Sequence, residues 1–409
     1  MKIFNRISKS LMYHYGTKRA KIFGFIYERT IWYKSVSLIA HIYHFFTCLR
    51  YGKKKSFVKY EDVKKVAVVY STRHFNPKDD NKQYSASMIA RHVYNTFKDK
   101  EILYFDHSRT IDEIPKVDLI VGIVSKNLIK LAKANPQAGV IAFLVNCHPL
   151  FRLKTLVNES ITLKKKLPFS EYVSPFLFLN TVKYVNRFML VGNDFVKKTF
   201  TDYKIPSEMI TIINTGANEL LSPNMGLRPK DKLRIVYVGS HLAIRKGLFR
   251  VIQVWDQLMK EVNPNDFELI IIGGMDVFKS EMDDFLQRHR NTKFLGWIES
   301  NTSDYMTWIQ SAHIIINLSL EEGQVGCVLD GMACGAIPII TEESGIGITD
   351  GREGYIVRHD DIETIVKRIQ SLKDDGARKV FEENCPVYIS SIHNWQRFEK
   401  ELAETVKAI

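Results

Sequence analysis

The chain has 409 residues, 45% hydrophobic and 25% charged, which excludes a disordered or fibrous protein and predicts two or three packed domains. Its five cysteines (Cys48, Cys147, Cys327, Cys334, Cys385) make no C-x-x-C pair and no framework, which argues against zinc or disulfide-built folds and for reduced thiols. The net charge is +13, yet residues 1–60 hold thirteen Lys/Arg against one acid, Glu28, so the basic excess is local and the remainder is nearly neutral.

That N-terminal extension is also aromatic, with Tyr13, Tyr15, Phe23, Phe25, Tyr27, Trp32 and Tyr33 among its residues. Residues 35–49 lack Lys and Arg, but a run of this length falls short of the about 20 apolar residues that span a bilayer. Basic and aromatic residues interleaved on helices suit an anionic membrane surface, where Lys53, Lys54 and Lys55 each add on the order of 1 kcal/mol. An extra helical layer on the core and a true span remain as alternatives. No nucleic-acid motif accompanies the charge, so nucleic acid is not an expected partner. Nor is there a clean apolar region with a small-residue cleavage site; the expected location is cytoplasmic, peripheral at the inner face of the membrane.

The first globular domain is predicted over 61–219. Lys65–Tyr70 is a β-branched run that reads as a buried strand. The loop 71–77 follows, and 85–97 has helical spacing. Arg73, His74, Lys78 and Lys82 there either face an anionic acceptor or form a solvated loop. Strands are predicted at 101–105, 117–122 and 140–145, with helical segments between some of them, which implies a parallel sheet. The last strand ends in Asn146-Cys147-His148-Pro149, a polar cluster at a strand's carboxyl end and so a candidate site. A strand at 188–191, a helix over 194–203 broken by Pro206, and a strand–loop over 209–218 lead to a polar linker between Ser222 and Asp231.

The second domain is predicted over 220–389. Leu233–Val238 is a strand followed by Gly239-Ser240. After a loop come Arg245-Lys246-Gly247 and an amphipathic helix over 248–262. Phe267–Ile272 and Lys293–Ile298 read as further strands, the second containing Trp297. His313–Leu318 is another buried strand, and after it the chain offers Glu322, Gly323, Gln324, Val325 and Gly326, then a helix containing Asp330 and closed by Gly335. Glycines let the backbone approach a ligand, a helix N-terminus favours phosphate, and carboxylates suit sugar or ribose hydroxyls. An N-cap acid and a surface acid would read the same when taken alone. The closing segment, 392–406 with Trp395, is predicted as one helix.

Several stretches in order resemble one family. Glu322-Gly323, Leu329 and Met332-Ala333-Cys334-Gly335 match, in register, the E-x7-E signature of the retaining nucleotide-sugar glycosyltransferases of the GT-B fold, family four (glycosyl transferases group 1). Pro338 comes one residue late. Val238-Gly239-Ser240 with Arg245-Lys246-Gly247 resembles the family's V-G-S…R-K-G motif, and Phe294-Leu295-Gly296 its V-x-F-L-G stretch. The departures are Asp330 for the second glutamate, Gln324 for an aromatic, Gly326 for a shifted glycine, Asn218 for an aspartate, and Ser71-Thr72 where family members carry glycines.

The resemblance implies an α/β, GT-B fold: two Rossmann-like domains facing a central cleft, the first completed by residues 390–409. It implies a glycosyltransferase that moves a sugar from a nucleotide-sugar donor to a glycan or glycolipid acceptor with retention. The nucleotide-diphosphate sugar would be a co-substrate; no cofactor and no metal are expected. Arg245 and Lys246 would neutralise the diphosphate, Glu322 orient the donor sugar and His148 contact it. Gly239, Ser240, Trp297, Ile298, Gly323, Gln324, Val325, Gly326 and Asp330 would line the donor site, Asp330 at the ribose. A nucleotide-sugar epimerase of the same fold and a non-catalytic nucleotide-sugar-binding protein are the alternatives.

Overall fold

The structure is a computed structural model that describes residues 59–71, 85–165, 175–239, 243–274, 278–300 and 302–407. The N-terminal extension up to residue 58, the loop carrying Arg73, His74, Lys78 and Lys82, and Ser240 lie outside the described residues.

The first domain is built on six parallel strands, β1 (Lys65–Tyr70), β2 (Glu101–Asp106), β3 (Leu119–Ile123), β4 (Gly139–Leu144), β5 (Arg187–Val191) and β6 (Ile210–Ile213), in the order β2-β1-β3-β4-β5-β6. Its helices are α1 (Ser85–Thr96), α2 (Lys126–Ala134), α3 (Pro149–Thr162), α4 (Pro175–Thr181) and α5 (Asp194–Asp202). Strands such as β4 are buried along their whole length, because helices cover both faces of a parallel sheet; hence the unbroken Val/Ile/Leu runs. The third strand starts at Leu119, two residues later than its sequence suggests, and the Asp118 carboxylate just before it accepts from the Lys64 and Lys65 amides.

The second domain repeats the architecture. Its strands are β7 (Leu233–Val238), β8 (Phe267–Ile272), β9 (Thr292–Phe294), β10 (Ile314–Asn317), β11 (Ile337–Ile340) and β12 (Tyr355–Ile356), all parallel, in the order β12-β11-β10-β7-β8-β9. Helices α6 (Leu248–Glu261), α7 (Lys279–Arg288), α8 (Ser303–Gln310), α9 (Gly326–Ala333), α10 (Ile362–Ser371) and α11 (Asp375–Ile392) pack around it. The strand order reverses between β7 and β10, and the carboxyl ends flanking such a reversal form a crevice where open α/β sheets bind ligands. Strand β9 is only three residues long, so Leu295 to Ile298 run as loop rather than strand.

The closing helix predicted over 392–406 is observed as one helix over 395–407, with Ile392 ending the preceding helix α11. Asn394 accepts from the Arg397 amide at 2.8 Å, a cap that starts α12 (Trp395–Lys407) anew after α11. Helix α11 packs on the second domain through Phe381, Cys385 and Ile389. Helix α12 crosses back and buries Trp395, Phe398, Leu402 and Val406 against the first sheet's core. A second crossing runs the other way: α3 sends Leu153, Leu156 and Val157 into the hydrophobic core of the second domain. Its Glu159 is buried there against the Arg250 guanidinium of α6, with oxygens at 2.6 and 3.0 Å.

Candidate functional site: an interdomain cavity beside an ion cluster

The turn after β7 and the loop after β10 are locked together by backbone. Gly247, at φ +71°, precedes α6, and a Cβ there would lie 2.1 Å from the Leu318 carbonyl oxygen, so only glycine fits. The Leu320 amide donates to the Arg245 carbonyl at 3.0 Å. Arg245 and Lys246 are thereby seated on the acid loop.

The two adjacent acids there, Glu321 and Glu322, are both buried, the first completely. Glu322 holds the Arg245 guanidinium at 2.9 Å and the Lys246 ammonium at 2.8 Å. Burial alone would raise the Glu322 carboxyl, but Arg245 and Lys246 outweigh it and hold the carboxyl below its ordinary range. Glu321 forms an ion pair with Arg245, its oxygen 2.8 Å from Nε, on one side and accepts hydrogen bonds from Arg152 of α3 on the other. Asn146, at the end of β4, accepts from Arg245 as well. Three cations thus meet two carboxylates, a surplus of one positive charge at the junction of the domains (3 − 2 = 1).

Beside this cluster lies an open cavity between the domains. Of the residues predicted from sequence, it is lined by Lys246, Gly239, Trp297, Ile298, Val325, Gly326 and Asp330. Met88 and Trp395 line it from the first domain. Trp297 is half exposed and donates its indole N–H to Glu299 at 2.9 Å. Gly326 opens α9 and lines the cavity at the positive end of that helix's dipole.

Asp330 lies one turn into α9, with no cation in contact among the described residues. Its Oδ1 accepts from the Asn218 amide at 2.9 Å and its Oδ2 from the Tyr305 hydroxyl at 2.8 Å. Burial raises the carboxyl from its ordinary 3.8 and the two hydrogen bonds pull it partly back, leaving it at about 6. The same burial pushes the Tyr305 hydroxyl up, with the Asp330 charge adding to it, so Tyr305 is a donor throughout the physiological range.

Three expected site residues do other work. His148 is fully buried and turned into the first domain, stacked on Tyr203 with ring centroids 4.4 Å apart and edge-on to Phe178 and Phe200. Its Nδ1 accepts from the Leu150 amide at 3.2 Å, so it caps α3 instead of reaching the donor cavity. At Gly323, a Cβ would lie 2.5 and 2.6 Å from the carbonyl oxygens of Val191 and Val145; the absent side chain admits the ends of β5 and β4, not a ligand. Gln324 is spent on the first domain too. Its Oε1 accepts from the Thr215 amide and hydroxyl at 2.8 and 3.0 Å, and its Nε2 donates to the Gly192 carbonyl at 3.3 Å. The glutamine in place of an aromatic thus fits an amide clamp between the domains.

Sequence reasoning missed Arg152, Glu321 and Tyr305. A doublet of acids directly after a buried strand was the available signal for Glu321, because two such carboxylates need cations. Nothing local marked Arg152 or Tyr305. Among the described residues no group of His, Cys, Asp and Glu is arranged to hold a metal ion, and no helix is long and apolar enough to cross a membrane.

Two Rossmann-like domains closed on a cavity, with a cation pair and a helix N-terminus at the strand reversal, define an α/β protein of the GT-B type. Within it, residues 232–375 match the family model described as Glycosyl transferases group 1. A curated relative, the poly(glycerol-phosphate) alpha-glucosyltransferase of Bacillus subtilis, is 28% identical over 166 residues, 38% of this chain and 23% of that protein. The chain spans 23% and 44% of the lengths of the two curated relatives it matches. Among solved structures, HepE of Anabaena in complex with UDP and glucose aligns with a TM-score of 0.61 at 13% identity, covering 85% of this chain and 100% of that one. Sucrose-phosphate synthase from Thermosynechococcus elongatus aligns with a TM-score of 0.62 at 14% identity, covering 84% and 98%.

Proposed function

We propose that the protein is a glycosyltransferase that moves a sugar from a nucleotide-diphosphate donor to a glycan or glycolipid acceptor with retention of anomeric configuration. The observation that carries this is the Lys246 ammonium on the wall of the interdomain cavity, beside Arg245 and the α9 N-terminus. As the sugar–phosphate bond breaks, charge grows on the departing diphosphate; fixed cations and backbone amides in a water-poor cleft stabilise that charge more than they stabilise the bound donor. Glu322 holds Lys246 and Arg245 in place and offers an acceptor for donor hydroxyls. Asp330 and Tyr305 form the polar wall for ribose at the other end. The family match over 232–375 and the glucosyltransferase name of the Bacillus subtilis relative support the same reading. Retention rests on the family resemblance, and proton NMR of the product anomer tests it.

The expected consequence is that Lys246→Ala lowers turnover of the best nucleotide-sugar donor by on the order of 10²-fold or more. Undiminished turnover in that variant would remove Lys246 from the reaction. The basic, aromatic residues 1–60 support a membrane-side acceptor at the inner face of the membrane. Replacing Lys53, Lys54 and Lys55 with glutamine should weaken binding to vesicles containing phosphatidylserine by on the order of 1 kcal/mol per charge. Equal binding of both proteins to those vesicles would reject this attachment.

A further inference from the structure

We propose that Arg152, which lies outside the donor cavity, is a positioning residue for diphosphate binding: it neutralises Glu321 so that the charge of the Arg245–Lys246 pair stays directed at the ligand. This rests on the nucleotide-sugar reading of the cavity.

The argument is one of charge and burial. Glu321 is a completely buried carboxylate and needs cations around it. Arg245 Nε is one, at 2.8 Å. If it were the only one, Glu321 and Glu322 would together cancel Arg245 and Lys246, and the cluster would carry no net charge toward an incoming anion (2 − 2 = 0). Arg152 restores the surplus of one, through a two-pronged contact with both Glu321 oxygens. Arg152 is itself mostly buried, with 14% of its side chain exposed, so the pair is poorly screened.

Arg152 also comes from the opposite domain. It sits on α3, whose Leu153 and Leu156 enter the second domain's core and whose Glu159 pairs with Arg250 seven residues further along the same helix. Asn146, also from the first domain, accepts from Arg245 directly. The electrostatic state of the donor pair is therefore set by the docking of the first domain, and the diphosphate meets its full positive field only when the domains are closed.

The test measures binding of UDP, GDP, ADP and TDP by calorimetry, and of the parent nucleosides by NMR titration, using the full chain. For the diphosphate that wild type binds best, Arg152→Met should weaken binding by about tenfold or more, while affinity for the nucleoside changes by less than about twofold. Arg152→Lys, which keeps the charge, should stay within about threefold of wild type. The double variant Arg152→Met/Glu321→Gln removes both charges, returns the surplus of one, and should recover most of the lost affinity. The proposal is overturned by unchanged diphosphate binding in Arg152→Met, by equal loss of nucleoside binding, or by a double variant no better than the single one. Wild type that binds none of the four diphosphates would overturn the functional reading and this proposal together; binding by wild type with any of the other failures overturns this proposal alone.

Discussion

Glu322 and Asp330 stand eight residues apart on one loop-and-helix unit, are both buried, and titrate in opposite directions. Glu322 sits among Arg245 and Lys246, which hold its carboxyl below the ordinary range. Asp330 has hydrogen bonds from Tyr305 and Asn218 but, among the described residues, no cation in contact, and burial lifts it to about 6. Burial is the shared term; the partners decide the sign. The cavity thus has an ionic end, where Lys246 stands beside Glu322, and an end whose carboxylate is raised toward neutrality. A nucleotide sugar is likewise asymmetric, with its charge on the diphosphate and hydroxyls elsewhere.

The largest effect should come from breaking the ionic end. Glu322→Ala leaves Lys246 and Arg245 with one counter-charge fewer in a buried setting, which should destabilise the fold by about 4 kcal/mol at neutral pH. Because the Glu322 carboxyl is depressed, its contribution is full above the unfolded-state value of 4.5 and is lost as pH falls through its lower folded-state value. The gap between wild type and variant in urea unfolding should therefore shrink on acidification. A gap that widens instead would contradict the ion-pair account.

Asp330→Asn probes the other end and reverses the sign. The raised carboxyl binds its proton more tightly in the folded state, so its contribution is full below the unfolded value of 3.8 and is lost as pH rises through about 6. A difference of about two pKa units corresponds to about 3 kcal/mol. Unfolding curves at pH 4 and pH 7 should show the asparagine variant gaining about that much relative to wild type at the higher pH. A stability difference that does not move between the two would mean Asp330 is not perturbed.

The same contrast marks what the sequence made legible. β-branched runs such as Ile314–Asn317 and Phe267–Ile272 announced the parallel strands, because strands buried on both faces have little choice of residue. The Arg245-Lys246-Gly247 turn and the acid loop were readable because each function is packed into a few consecutive residues. Their neighbours across the cleft were not. Arg152 reaches Glu321 over 169 positions, and Tyr305 reaches Asp330 from a helix with no motif of its own. His148 looked like a site residue because polar groups at a strand's carboxyl end often are. Only the aromatic ring set around it, drawn from Phe178, Phe200 and Tyr203, shows that its imidazole turns inward. Helix α11 was hidden because its sequence carries Pro386 in mid-helix, the signal of a helix break, between the apolar residues Cys385 and Ile389.

Tyr305→Phe gives the smallest effect and the finest cut through the comparison. It deletes one hydroxyl and leaves the ring in its buried place, so packing is conserved. The lost bond runs to a carboxylate when Asp330 is ionised and to a neutral acid when it is not. The loss should be about 2 kcal/mol above pH 6 and smaller below it. Removing a donor that favours the ionised form also raises the Asp330 carboxyl further, so the fall of stability with rising pH should steepen and end at a higher pH than in wild type. Combined with Asp330→Asn, the pH dependence of the tyrosine change should vanish, since the ionisable partner is gone. If Tyr305→Phe keeps its pH dependence in the asparagine background, the hydroxyl acts on some group other than Asp330, and the near-neutral end of the cavity owes its character to burial alone.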